Sequence, residues 1–180
     1  MPTVDVAILG DDGRHLPPGE TGEILIKGPI LMAGYWNKPE ATAAAVQDGW
    51  LHTGDIGHLS EDGYVYVTDR AKDMIIRGGE NVYCVEIENR LVLHPAIADA
   101  AVIGVPHPEL GEEVKAVVQL EDGHDLSEDE VRAWVAEALA GFKVPTYVEL
   151  RHEKLPRNAS GKLLKNALRG TGDVSFIETM

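Results

Sequence analysis

Ile56-Gly57-His58-Leu59, Ser60-Glu61-Asp62-Gly63 and Tyr64-Val65-Tyr66-Val67-Thr68, followed at once by Asp69-Arg70-Ala71-Lys72, form the stretch on which the fold turns. Two runs of strand length flank a cluster of turn formers that ends in glycine, the pattern of a β-hairpin. The charged segment Asp69-Arg70-Ala71-Lys72 then closes the strand pattern, and from about residue 71 the chain reads as mixed helix and strand. The expected division is a β-rich piece over 1–70, a compact α+β domain over 71–170, and a tail over 171–180 that looks frayed.

Working upstream, Val4 to Leu9 is an apolar run ending in the turn Asp11-Asp12-Gly13, and Gly22-Glu23-Ile24-Leu25-Ile26-Lys27 alternates in part like a strand. Leu16-Pro17-Pro18-Gly19 between them is a loop with fixed φ values. Pro39 to Ala45 reads as a short helix with proline in its first turn. Downstream, Met74-Ile75-Ile76 is strand-like and precedes the turn Arg77-Gly78-Gly79-Glu80-Asn81, after which Val85, Ile87, Leu91 and Val92 mark a helix that stops near His94-Pro95. Ala100–Val105 and Val114–Leu120 are strands. Ser127 with Glu130 forms a capping-box pattern ahead of a helix through Val131, Trp134, Val135, Ala138 and Leu139. A last helix is expected from near Lys162 to Gly170. Helices and strands do not alternate regularly, which disfavours a doubly wound parallel sheet.

The 180 residues, 44% hydrophobic and 26% charged, have the profile of a soluble globular protein, and no apolar run reaches the roughly 20 residues that cross a bilayer. The N-terminus lacks a basic start and an apolar signal core, so the cytoplasm is the expected location. One cysteine, Cys84, excludes an internal disulfide and reads as a small buried residue, and seven scattered histidines give no helical ligand pair, so no metal site is expected. A net charge of −14 argues against nucleic acid or anionic lipid as partner. Residues 151–169 depart from that balance, with Arg151, Lys154, Arg157, Lys162, Lys165 and Arg169 set against Glu153 alone. This is either a solvated helix face or a local anion site.

Four segments could carry chemistry. In Trp50-Leu51-His52-Thr53-Gly54-Asp55 a carboxylate follows a glycine, and it could accept two hydrogen bonds from a vicinal diol or satisfy its own turn. Arg70, after the strand ending in Thr68, could hold a hydroxyl or phosphate oxygen or pair with a surface acid. The Gly78-Gly79 turn, read as lying between a strand and a helix, would let backbone approach a ligand, or is a plain tight turn; it lacks the dinucleotide spacing. Leu155-Pro156-Arg157-Asn158-Ala159-Ser160-Gly161-Lys162 ends in Gly-Lys but is no P-loop, because Pro156 stands where the first glycine belongs and Leu163 where Ser or Thr would bind metal. It presents a lysine on a small, flexible pedestal.

Taken in order, Gly22-Glu23-Ile24, Gly34-Tyr35-Trp36, Gly49-Trp50-Leu51-His52-Thr53-Gly54-Asp55, Asp69-Arg70-Ala71-Lys72-Asp73, Gly78-Gly79-Glu80-Asn81 and Pro156-Arg157-Asn158-Ala159-Ser160-Gly161-Lys162 resemble the C-terminal third of the adenylate-forming enzymes, and most of all the acyl-CoA synthetases of the fatty acid type. The resemblance covers about residues 3–169 and implies an α+β fold: a β-rich partial barrel subdomain, then a small domain whose central antiparallel sheet is flanked by helices. It implies a two-step reaction in which ATP and a carboxylic acid, expected to be a fatty acid, give an acyl-adenylate, and CoA then displaces AMP. On the same basis Asp55 and Arg70 would bind the nucleotide ribose and Lys162 would be catalytic at the α-phosphate. Lys72 would be the hinge, and Gly78 and Gly79 would line the CoA tunnel. The family's phosphate loop and its Tyr-Gly-x-Thr-Glu segment, which binds adenine and Mg2+, do not occur in these 180 residues. The chain alone is therefore expected to be inactive and to need an N-terminal domain that carries the magnesium ligands. The alternatives are an adenylation-domain fragment that loads a carrier protein, and a non-catalytic docking module that completes a split ligase. An exposed apolar face on residues 1–70 would favour docking or self-association.

Overall fold

A computed structural model describes residues 4–169, and the chain divides into two compact units, Met1–Lys72 and Asp73–Met180. The expected frayed tail lies outside the described residues. In the first unit β1 (Asp5–Leu9), β2 (Gly22–Lys27), the helix α1 (Pro39–Ala45), β3 (Val46–Gln47), β4 (Trp50–Leu59) and β5 (Val65–Arg70) follow one another. All pairings are antiparallel, and β4 is central. Along one edge it pairs with β2; the other edge is shared by β3 at Trp50–Leu51 and by β5 from Asp55 to Leu59. Register shifts on both edges, between Glu23 and Leu25 of β2 and at Ile56/Gly57 of β4, curl this sheet into a half-barrel. The β4–β5 connection is the expected hairpin, closed by Ser60 N–H to Tyr64 O at 2.8 Å and Tyr64 N–H to Ser60 Oγ at 3.0 Å.

The second unit contains β6 (Ile75–Arg77), β7 (Glu80–Val82), α2 (Cys84–Val92), β8 (Ile97–His107), β9 (Gly111–Leu120), α3 (Glu128–Ala136), a 3-10 turn at Gly141–Lys143, β10 (Tyr147–Arg151) and α4 (Lys165–Leu168). Its sheet is antiparallel except where β10 runs parallel to β9. The strand β9 is apolar along most of its length because both its faces are covered. Val114, Ala116, Val118 and Leu120 join Ala100 and Val102 of β8 against Cys84, Ile87 and Leu91 of α2 and Val131 and Val135 of α3. On the opposite face Ala101 and Val117 lie under Leu155, with Leu163 and Leu168 packed beside them. Burying a side chain such as Ile87 or Leu91 contributes about 1.5–3 kcal/mol. The helix α3 starts with the capping box read from the sequence, Glu130 N–H donating to Ser127 Oγ and Ser127 N–H to Glu130 Oε2.

Two local expectations need correction. Gly78-Gly79 joins two strands, since β7 intervenes before α2. The last helix begins at Lys165, because residues 156–164 are tied into a loop by their own hydrogen bonds.

Candidate active-site elements

Asp55 stands on an irregularity in β4. Leu25 of β2 pairs with His52 and Glu23 pairs with Ile56, so three residues of β4 oppose the single residue Ile24. Side chains take up the backbone groups this bulge frees. Thr53 Oγ1 donates to Ile24 O at 2.7 Å and accepts from Asp55 N–H at 3.0 Å. Glu23 Oε1 accepts the Gly54 N–H at 3.0 Å, and Glu23 Oε2 lies 2.8 Å from His52 Nδ1. Gly54 itself has φ 69°, a conformation that disfavours residues with a Cβ. Glu23 and Thr53 thus set the backbone on which Asp55 sits.

On the other edge Asp55 pairs in register with Arg70, and cross-strand neighbours point to one face. Arg70 Nε donates to Asp55 Oδ1 at 2.8 Å, with both side chains partly exposed. Asp69, only 4% exposed, accepts the Arg70 N–H at 2.7 Å. The result is an acceptor and a multiple donor held side by side, the combination that binds a vicinal diol or a sugar–phosphate edge. The exposed Lys72 is the last residue of the first unit.

In the second unit the Gly78-Gly79 turn closes the β6–β7 hairpin with two residues, at φ 58° and 90°. Positive φ at both central positions is the type I′ requirement, which glycine meets without strain. The hairpin is pinned by Gly78 N–H to Leu110 O at 2.9 Å and Ile76 N–H to Glu112 Oε2 at 3.0 Å. Below it Arg77 Nε lies 2.6 Å from Glu113 Oε1, and Glu113 is 2% exposed. Burial pushes the Glu113 carboxyl up, but hydrogen bonds from Arg77, the Val114 N–H and Thr146, with the Arg77 charge, outweigh it and hold the group below its ordinary value.

Lys162 sits on a loop organised by one side chain. Asn158 Oδ1 accepts from Ser160 N–H at 3.1 Å, Ser160 Oγ–H at 2.8 Å and Lys162 N–H at 2.8 Å. Asn158 N–H donates to Lys162 O, Leu164 N–H to Pro156 O, and Arg157 reaches both Gly161 O and Asp99. The pedestal is therefore a closed, braced loop rather than the flexible one expected. The exposed Lys162 Nζ makes no hydrogen bond or ion pair with the described residues, so its charge is available to an incoming anion.

Of the residues singled out from the sequence, Asp55 and Arg70 are brought together in the first unit, and Gly78, Gly79 and Lys162 lie on loops of the second. Glu23, Asn158 and the Arg77–Glu113 pair were missed, although Glu112-Glu113 at the start of an apolar strand and Asn158 ahead of Ser160 were visible signals. Among the described residues no group of three or more His, Cys, Asp or Glu side chains is placed to hold a metal ion, and no helix is long and apolar enough to cross a membrane. The first unit exposes Ile30, Tyr35, Trp36, Tyr64, Tyr66 and Val67.

Residues 86–162 match the family model of the AMP-binding enzyme C-terminal domain, and residues 1–36 match that of the AMP-binding enzyme. Feruloyl-CoA synthase of Amycolatopsis sp is 51% identical over 92% of this chain and 33% of its own length. Long-chain-fatty-acid–CoA ligase of Bacillus subtilis (strain 168) is 48% identical over 93% of this chain and 30% of its own. The structure of o-succinylbenzoate CoA synthetase from Bacillus subtilis, in complex with its acyl-adenylate intermediate, superposes with a TM-score of 0.83 at 40% identity, over 98% of this chain and 35% of that one. The chain thus spans about a third of the length of the relatives it matches.

Proposed function

This chain belongs to the AMP-binding enzymes and carries their C-terminal domain, and from that premise we propose that it serves an ATP-dependent, AMP-forming ligation of a carboxylic acid to coenzyme A. The observation that carries the reading is the braced loop that holds an unpaired Lys162 ammonium. In the first step a carboxylate oxygen attacks the α-phosphorus of ATP, the bond to pyrophosphate breaks, and an acyl-adenylate forms. In the second the CoA sulfur attacks the acyl carbon and AMP leaves. Negative charge grows on the α-phosphate oxygens in the first step, and a fixed ammonium there is worth about 2.7–4 kcal/mol of barrier, the range for a single preorganised donor.

Asp55 accepts the ribose hydroxyls and Arg70, already beside it, steadies that carboxylate and donates to the sugar edge. Lys72 acts as the hinge between the two half-reactions, and the Gly78-Gly79 turn admits the pantetheine arm, where side chains would narrow the channel. Magnesium accompanying ATP would be held by an N-terminal domain outside these 180 residues, where it would offset phosphate charge; the described residues hold no group of three or more His, Cys, Asp or Glu for it. The acid is a fatty acid in the reading from sequence. The relatives act on feruloyl, long-chain fatty acyl and succinylbenzoyl groups, so a panel spanning all three decides the class.

The nucleotide part is tested by amide NMR during AMP titration of the chain. Shifts at Gly54, Asp55 and Arg70 that disappear in Asp55→Ala are expected. Shifts that ignore this substitution would overturn the assignment of Asp55 to the ribose.

A further inference from the structure

Three residues after the exposed Lys162 stands a second lysine in the opposite situation. Lys165 is 13% exposed at its side chain, and its Nζ lies 2.8 Å from Glu88 Oε1 of α2. The same Glu88 oxygen accepts the Val102 N–H of β8 at 2.8 Å, so the contact joins the C-terminal segment to a helix and a strand at once. One turn later Arg169 Nη2 lies 3.5 Å from Asp73 Oδ1. Asp73 is held further by its carbonyl, which accepts from the buried Cys84 thiol at 2.9 Å. Burial alone would lower the Lys165 value, but interactions with Cys84, Glu88 and Asp73 and the hydrogen bond to Glu88 outweigh it and hold the ammonium above its ordinary range.

These contacts matter because of what lies on either side of Lys72. Ala71 N–H donates to Gly54 O at 2.9 Å, so residue 71 is fastened to the first unit. Asp73 is fastened to the second by Cys84 and Arg169, which leaves Lys72 alone between two pinned neighbours. The four-residue helix α4 is too short to hold itself, and its placement comes from tertiary contacts. Since the 156–164 loop is closed by its own hydrogen bonds, fixing its base fixes Lys162.

We propose that Lys165 and Arg169 are positioning residues for Lys162: they fasten the segment bearing the lysine loop to α2 and to Asp73, so that a rotation about Lys72 carries Lys162 with it. This rests on the role given to Lys162 above. Residual dipolar couplings of backbone amides in the purified 180-residue chain provide the test. In the native sequence the 156–164 loop, α2, β8 and Asp73 should fit one alignment tensor. Because Arg157 also holds the loop to Asp99 of β8, the Lys165→Met/Glu88→Gln double variant, whose glutamine keeps an acceptor for Val102 N–H, is compared with and without Asp99→Asn. In the Asp99→Asn background the loop should depart from the tensor that α2 and β8 still share. Lys165→Arg should restore the fit. Should the double variant not fold, Arg169→Gln combined with Cys84→Ala, which removes both contacts to Asp73, should release it from the common tensor. A loop and Asp73 that stay on that tensor in these variants, with only a lower melting temperature, would overturn the proposal. The couplings do not depend on turnover, so a failure of the ligase reading in an exchange assay is separable from a failure here.

Discussion

In both units a ten-residue strand is central, with one partner along one edge and two shorter partners sharing the other: β4 with β2 against β3 and β5, and β9 with β8 against β10 and β6. They use that strand differently. The strand β4 is interrupted by a bulge and shows Asp55 from within its own length, on a backbone held by Glu23 and Thr53. The strand β9 is an apolar foundation covered on both faces, and the second unit displays Gly78, Gly79 and Lys162 from loops laid over it. Chemistry and fold are therefore entangled in the first unit and separable in the second.

The largest expected effect tests that separability. Lys162→Ala should lower adenylation about 10²–10³-fold once the chain is fused behind the preceding portion of a relative, as for loss of one charge-stabilising donor. Thermal unfolding of the 180-residue chain should stay within about 0.5 kcal/mol of the native value, as at an exposed site without partners. Next, Glu113→Ala should cost about 3 kcal/mol in urea unfolding, the lower end for breaking a buried pair, since Arg77 retains some access to water. The amide shifts of the Lys162 loop should not move. The same carboxyl predicts a pH dependence. Its folded value lies below the ordinary ~4.3, so the stability it contributes is complete above that ordinary value and is lost as pH falls through the lower folded one. The urea midpoint of the native chain should therefore fall more in that acid window than the midpoint of Glu113→Gln.

In the first unit the effects should travel together. Glu23→Ala leaves the partly buried Gly54 N–H without its acceptor and should cost about 2 kcal/mol, the middle of the range for such a group. It should also abolish the AMP-dependent shifts at Asp55, with Glu23→Gln recovering part of both. The smallest effect is expected from Asn158→Ala. Its donors sit at the surface, where water replaces the lost acceptor, so the cost should be about 1 kcal/mol. Faster amide exchange at Lys162 is the readout, and Asn158→Asp, which keeps the oxygen, should restore protection.

How far the sequence disclosed this arrangement followed from where the constraints lie. The strands β1 and β2, helix α1 and the Ser127 capping box were legible because their signals are local: alternation, a proline in the first turn, a hydroxyl three residues before a glutamate. The strand β3 is two residues long, and β10 carries charges at Glu149 and Arg151, so neither shows an apolar pattern; β3 is held by β4 across the turn Asp48-Gly49, and β10 by β9, well upstream in sequence. Gly78-Gly79 was visible as a turn, but β7 has only Val82 as a buried residue and gave no strand signal. The candidates Asp55, Arg70 and Lys162 came from their motifs. The supports of Asp55 and Arg77 did not, because Glu23 reaches Gly54 across 31 residues and Arg77 meets Glu113 across 36. Asn158 was within view, yet its capture of three donors depends on a loop closure that spacing alone does not specify.

The most direct measurement is ATP–pyrophosphate exchange with acids from acetate to palmitate, ferulate and succinylbenzoate. It compares the purified 180-residue chain with the same chain fused behind the preceding portion of a relative such as the Bacillus subtilis ligase. The expected result is no exchange by the chain alone, exchange by the fusion with one class of acid, and loss of that exchange in Lys162→Ala. Exchange by the chain alone, or exchange by the fusion that survives Lys162→Ala, would contradict it.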